Sequence, residues 1–191
     1  LDIQKDYEHR VKTLHSAIVE FATRADDKRL SPRIAQRIND LRGVAGDIVQ
    51  AVKSVKHLRR NVLHYTLRDE GAVTGLYDGL RTEIARILVE IRTLDQADPE
   101  DRSALSLDQE EAQIEEDARD SSRRIDGLIR AGALTPEAAT SFLNDSAYAY
   151  GAMRLLIRAA RCYYLERGSA TGEVEQLLAL DDDEIETGST G

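Results

Sequence analysis

Between Ile34 and Val62 apolar residues fall at alternating intervals of four and three: Ile34, Ile38, Leu41, Ala45, Ile48, Val52, Val55 and Val62. Arg59 is the one polar intruder in the series. This spacing keeps a single stripe on one side of an α-helix. Ser31 offers a hydroxyl to the first free backbone N–H groups, and Pro32 fits the first helical position, where its missing N–H costs nothing. No proline follows before "RDEG", so the pattern predicts an unbroken helix from Pro32 to Arg68, about 55 Å long at the standard rise. A stripe of that length has to be covered along its length, which points to long antiparallel helix packing. Gly43 and Gly46 lie inside it, and each costs about 1 kcal/mol relative to Ala. A kink or a close helix–helix approach is therefore expected there.

The rest of the chain has the same character. Tyr7, Val11, Leu14, Ile18, Phe21 and Ala25 mark a first helix, and Leu76, Leu80, Ile84, Ile87, Ile91 and Leu94 a third. The entry to that third helix, "GAVTGLYDG", has glycines at 71, 75 and 79; without a preceding strand or a Walker Lys it reads as a turn plus tight packing. "DQADPEDRS" is a linker. A fourth helix is expected from about Leu107 to Arg130, with a thinner stripe of Leu107, Ile114, Ala118, Ile125 and Leu128, ended by Gly132. Thr135-Pro136 then starts a fifth, whose buried line is Phe142, Ala149, Met153, Leu156, Ala160 and Tyr163. After Gly168, "GEVEQLLAL" is compatible with a short helix, and the remainder reads as disordered. No segment has strand character, so the fold class is all-α.

Two of these helices open alike. "LSPRIAQRIND" begins at Leu30 and "LTPEAATSFLND" at Leu134, and the seventh residue beyond each Asn is glycine, Gly46 and Gly151. The two stretches lie about 105 residues apart, which suggests one helical unit used twice around a pseudo-twofold axis. The expected organisation is a first three-helix unit at 1–95, a linker at 96–106, a second helical unit at 107–167 and an acidic tail at 168–191.

The net charge of −9 is uneven. Residues 173–191 contain Glu173, Glu175, Asp181, Asp182, Asp183, Glu184 and Glu186 and no Lys or Arg, so that segment carries −7 and leaves −2 for the body. A nearly balanced body does not resemble a nucleic-acid binder. No stretch has about 18 uncharged apolar residues, the minimum for a spanning helix. The first residue is Leu1, which leads us to expect a piece of a longer protein. Cys162 is the only cysteine; this excludes an internal disulfide, favours a reducing compartment, and reads as a packed, inert thiol.

"QRIND" (Gln36 to Asp40) and "SFLND" (Ser141 to Asp145) resemble the Glu-Arg-Ile-Gly-Asp-like motif of the PhoU-like proteins, which are duplicated three-helix bundles. "TSFLNDSAYAYGAMRLLI" and "VKSVKHLRRNV" are similar to the cytoplasmic C-terminal PhoU-like domain of bacterial sodium/phosphate cotransporters. The resemblance covers most of residues 1–167. It implies a non-catalytic regulatory or scaffolding domain at the cytoplasmic face of the inner membrane. Its implied partners are the transmembrane transporter portion of the same chain, a second copy in a homodimer, and an anionic membrane surface. In free-standing PhoU proteins the paired acids of the motif ligate iron or other metals. Here Gln36 and Ser141 stand where Glu would, while Asp40 and Asp145 remain, with Asn144 beside the latter. One carboxylate per half is too few to offset the desolvation of a metal cation, so no metal and no cofactor is expected. Asp47, two turns beyond Asp40, reads as a solvated acid.

The stretch "KSVKHLRRNVLHYTLR" contains Lys53, Lys56, Arg59, Arg60 and Arg68 and no acid. It reads either as an anion- or membrane-facing patch or as a solvated helix end whose cations complement the helix dipole. His57 and His64 are seven residues apart within it, but no histidine pair has metal-ligand spacing. Tyr148, Tyr150, Tyr163 and Tyr164 read as a packing cluster. No hydrolase, Rossmann or Walker motif supports catalysis. Two alternatives accompany the transporter-domain reading. One is a free-standing PhoU-type regulator binding a metal and a transporter or kinase. The other is a metal-dependent helical-bundle enzyme using Glu116 and Asp120.

Overall fold

A computed structural model describes residues 3–26, 30–68 and 71–165. The acidic tail at 168–191 and the short helix expected in "GEVEQLLAL" lie outside the described residues. Five helices account for nearly all of what is described, and no strand is present among those residues. Helix α1 runs as Ile3–Asp6, a single π turn at Tyr7–Val11, and Lys12–Asp26. It is followed by α2 (Pro32–Arg68), α3 (Ala72–Gln96), a 3-10 turn at Pro99–Asp101, and α4 (Leu105–Arg130). Helix α5 (Pro136–Ala160) continues through a π turn at Arg161–Leu165.

The helix boundaries follow from local chemistry. Ser31 Oγ accepts from the Ile34 backbone N–H at 3.4 Å, and Thr135 Oγ1 accepts from that of Ala138 at 3.2 Å, so both Ser/Thr-Pro starts are N-caps. Gly132 ends α4 at φ 70°, with its N–H donating to Ile129 O and the Ala133 N–H to Leu128 O. That pair of bonds is a Schellman cap, which needs a residue tolerant of positive φ. Gly71 opens α3 at φ 63°, and the Thr74 hydroxyl donates back to Tyr65 O at 2.9 Å, tying the start of α3 to the end of α2.

The central relationship is between α2 and α5, the two longest rods, which lie antiparallel. Arg37 meets the carbonyls of Cys162 and Tyr163, Asp47 meets Arg158, His57 stacks on Tyr148, and Asn61 meets Asp145, so the numbering rises on one helix as it falls on the other. Helices α3 and α4 close over the other side of α5. The main core draws on α2 to α5: Leu58, Tyr77, Ile87, Leu107, Ile114, Ile125, Phe142, Met153 and Ile157 are all buried in it. A second, much smaller cluster holds α1 to the first half of α2 through Ala22, Ala25 and Ile38, backed by Phe21, Ile34 and Leu41. The first half thus supplies three helices and the second two.

The glycine expectation fails. Helix α2 runs unbroken through Gly43 and Gly46, and a Cβ built at either, or at Gly75, Gly79 or Gly151, would meet nothing within 4 Å. The shared glycines are therefore not where the helices approach. Leu14, placed on the α1 stripe by its spacing, is 64% exposed. The tyrosines do not form one cluster either. Tyr150 is buried near Glu83, Tyr148 stacks on His57 at the surface, and Tyr163 and Tyr164 meet edge to face near the end of α5.

Candidate functional site

The residues of the two motif stretches do not converge. On α2, Gln36 Nε2 donates to Asp40 Oδ1 at 2.8 Å, a local i,i+4 bond on an outer face. On α5, Asn144 is exposed while Asp145 is 5% exposed and turned inward. Its Oδ2 accepts from the Tyr77 hydroxyl at 2.7 Å and from Asn61 Nδ2 at 2.8 Å. Tyr77 is itself fully buried, stacked on Tyr65 and edge to face with Phe142. Burial, reinforced by the bond to Asp145, pushes the Tyr77 phenol far above its ordinary pKa, so it stays a donor at every physiological pH. This is a structural network between α2, α3 and α5 rather than a ligand site.

Asp47 is not solvated as its sequence context suggests. Its side chain is 17% exposed and takes both nitrogens of a bidentate Arg158 fork, Nε at 2.6 Å and Nη2 as the second. The hydrogen bond to Asp47, followed by its charge, raises the Arg158 pKa further. No group of three or more His, Cys, Asp or Glu among the described residues has metal-binding geometry. Glu116 and Asp120 are both exposed on α4, the latter paired with Arg123 at 3.1 Å.

The basic stretch lies along the second half of α2. Lys53, Arg59 and Arg60 are exposed and have no acidic partner among the described residues; Lys56 lies over the Tyr7 ring at 4.7 Å. The Arg68 side chain lies outside the described residues. At 100° per residue Lys53, Lys56, Arg59, Arg60, Leu63 and Leu67 all fall within about 120° of arc. Leu63 is 44% exposed and Leu67 80% exposed, so this face grades from cationic to apolar toward the end of α2.

Two further features escaped the sequence pattern. A cavity of about 420 Å³ between α3, α4 and α5 is lined by Glu83, Asp117, Ser121 and Tyr150. Burial, then the nearby Asp117 charge, raises the Glu83 pKa. Arg86 neutralises part of this acidity, with Nε 3.2 Å from Glu110 and Nη2 3.4 Å from Asp117. The second is an open apolar groove of about 670 Å³ bounded by α1, α2 and the end of α5. Beside it Arg37 is 4% exposed, donates to the carbonyls of Cys162 and Tyr163 at 3.1 and 3.5 Å, and has a buried Nε without a partner. Cys162 is half-buried, with Sγ 4.0 Å from Arg37 Nη1. A single Arg within an apolar series carries no sequence signal for such burial.

No protein-family model matches the chain, and no curated protein or solved structure is significantly similar to it.

Proposed function

We propose that this chain is a non-catalytic regulatory or scaffolding domain of the PhoU-like kind. It is attached to a sodium-dependent phosphate transporter and applied to an anionic surface at the membrane through the second half of α2. The observation that carries this reading is the face of Lys53, Arg59 and Arg60, unpaired among the described residues and continued by exposed Leu63 and Leu67. Cations interact with anionic headgroups at about 1 kcal/mol each, and exposed leucines add apolar contact at the interface. The motif remnants support the same class, since the two Pro-started rods they occupy are the antiparallel centre of the bundle.

Vesicle co-sedimentation tests the reading. The full chain is expected to sediment with phosphatidylglycerol vesicles and not with phosphatidylcholine vesicles, and to be released by high salt, which screens these charges. The triple variant Lys53→Glu, Arg59→Glu, Arg60→Glu should lose most of this binding while retaining its helical circular dichroism. Binding that is absent from both vesicle types, or indifferent to the triple variant, rejects the assignment.

A further inference from the structure

We propose that the groove between α1, α2 and α5 is the docking site of the chain's own acidic C-terminal segment, residues 173–186. The groove is large, about 670 Å³, and its walls are apolar, including Ile18, Phe21, Ile48 and Leu156. Ile48 is left 42% exposed and Tyr163 37% exposed along it. A contiguous apolar surface of this kind calls for a cover.

The position of the chain end selects the occupant. The described chain stops at Leu165, one residue beyond Tyr164, which lines the groove. Eight peptide steps from Leu165 to Glu173 reach about 25 Å when extended. The α2 wall from Ile38 to Ile48 is only about 15 Å long. The segment can therefore return along the whole groove without strain on the tether.

Its chemistry fits both the walls and the rim. Val174, Leu177, Leu178 and Leu180 supply apolar side chains, and the seven acids of residues 173–186 flank them with no cation between. Arg24 and Arg42 line the groove without an acidic partner among the described residues. The same tail carries −7, most of the net charge, so the pairing also neutralises the largest charge imbalance in the chain.

Disulfide trapping in the full chain tests the proposal independently of the membrane reading. In a Cys162→Ser background, the pair Ile18→Cys and Leu178→Cys is compared with Ala112→Cys and Leu178→Cys, Ala112 being exposed on α4. Tethering alone raises both rates, but docking should make the groove pair close about tenfold faster, within one chain. Adding Arg42→Glu should slow the groove pair and leave the α4 pair unchanged. Equal rates for the two pairs overturn the proposal. So does a groove pair that yields mainly disulfide-linked dimers, which assigns the groove to a second copy. Hydrogen exchange gives a second readout on a chain whose body is unaltered: Leu177→Asp with Leu178→Asp should speed exchange across Lys12–Asp26 about tenfold, the cover being lost. Unchanged exchange there rejects the docking.

Discussion

The Tyr77 hydroxyl and Asn61 Nδ2 both donate to a single oxygen of Asp145, at 2.7 and 2.8 Å, where α2, α3 and α5 meet. Removing one donor leaves the carboxylate with the other, so Tyr77→Phe is expected to cost about 1–2 kcal/mol in urea unfolding. Asp145→Ala strands the buried Tyr77 hydroxyl and the half-buried Asn61 amide at once and should cost about 3–4 kcal/mol. A double-mutant cycle should give strong coupling between the positions, because they share one network. Additive losses would show that the contact contributes little beyond burial.

The two acids of the twin motif stretches separate for a physical reason that spacing alone does not contain. Asp40 and Asp145 occupy matching places, each just after the Asn of its stretch, yet Asp40 bonds locally to Gln36 while Asp145 is drawn inside. The difference comes from position along the rods: Asp145 lies where α2, α3 and α5 meet and Tyr77 supplies a buried donor, whereas Asp40 lies on an outer face of α2. Helix existence and limits were legible because proline starts, Gly132 and the threes-and-fours spacing are local signals; Pro32–Arg68 ends where the pattern does. Which half of the α2 stripe would be covered was not legible. Ala45 and Ile48 keep perfect spacing but border an open groove, since burial depends on what α1 leaves uncovered. Arg37 and Glu83 were invisible for the same reason: their burial is decided by partners distant in sequence.

The Asp47–Arg158 pair should stabilise the fold only modestly. Its geometry is bidentate, but the Arg158 side chain is 68% exposed, and solvent screening limits such pairs to about 0.5–1 kcal/mol. Asp47→Ala should cost that much at low salt and less in concentrated salt. Arg158→Lys keeps the charge but not the fork, and should lose most of the same increment.

Glu83 gives the bundle a pH dependence of defined sign. Burial and the Asp117 charge raise its pKa in the folded state, so folding favours the protonated acid. The penalty for ionisation is absent below the unfolded value, 4.5, and is complete once pH passes above the raised folded value. Glu83→Gln removes the charge and keeps the size of the side chain. The variant should melt higher than the parent at pH 7, with the gain shrinking as pH falls toward the unfolded value. A gain that is constant with pH would mean that packing, not ionisation, sets the difference.

Thr135 and Ser31 make the same capping bond at the starts of α5 and α2, but in different surroundings. Thr135 precedes a helix embedded in the main core, where Ala138, Ala139 and Phe142 are buried, so losing its cap is felt by the whole cooperative unit. Ser31 starts the end of α2 that is held by the small cluster of Ala22, Ala25 and Ile38. Thr135→Ala is therefore expected to lower global stability by about 1 kcal/mol in chemical denaturation. Ser31→Ala should leave the global midpoint nearly unchanged and instead accelerate amide exchange in the first two turns of α2, a local opening below the global one. Equal shifts of the midpoint for both variants would show that α1 and the first half of α2 unfold together with the main core rather than ahead of it.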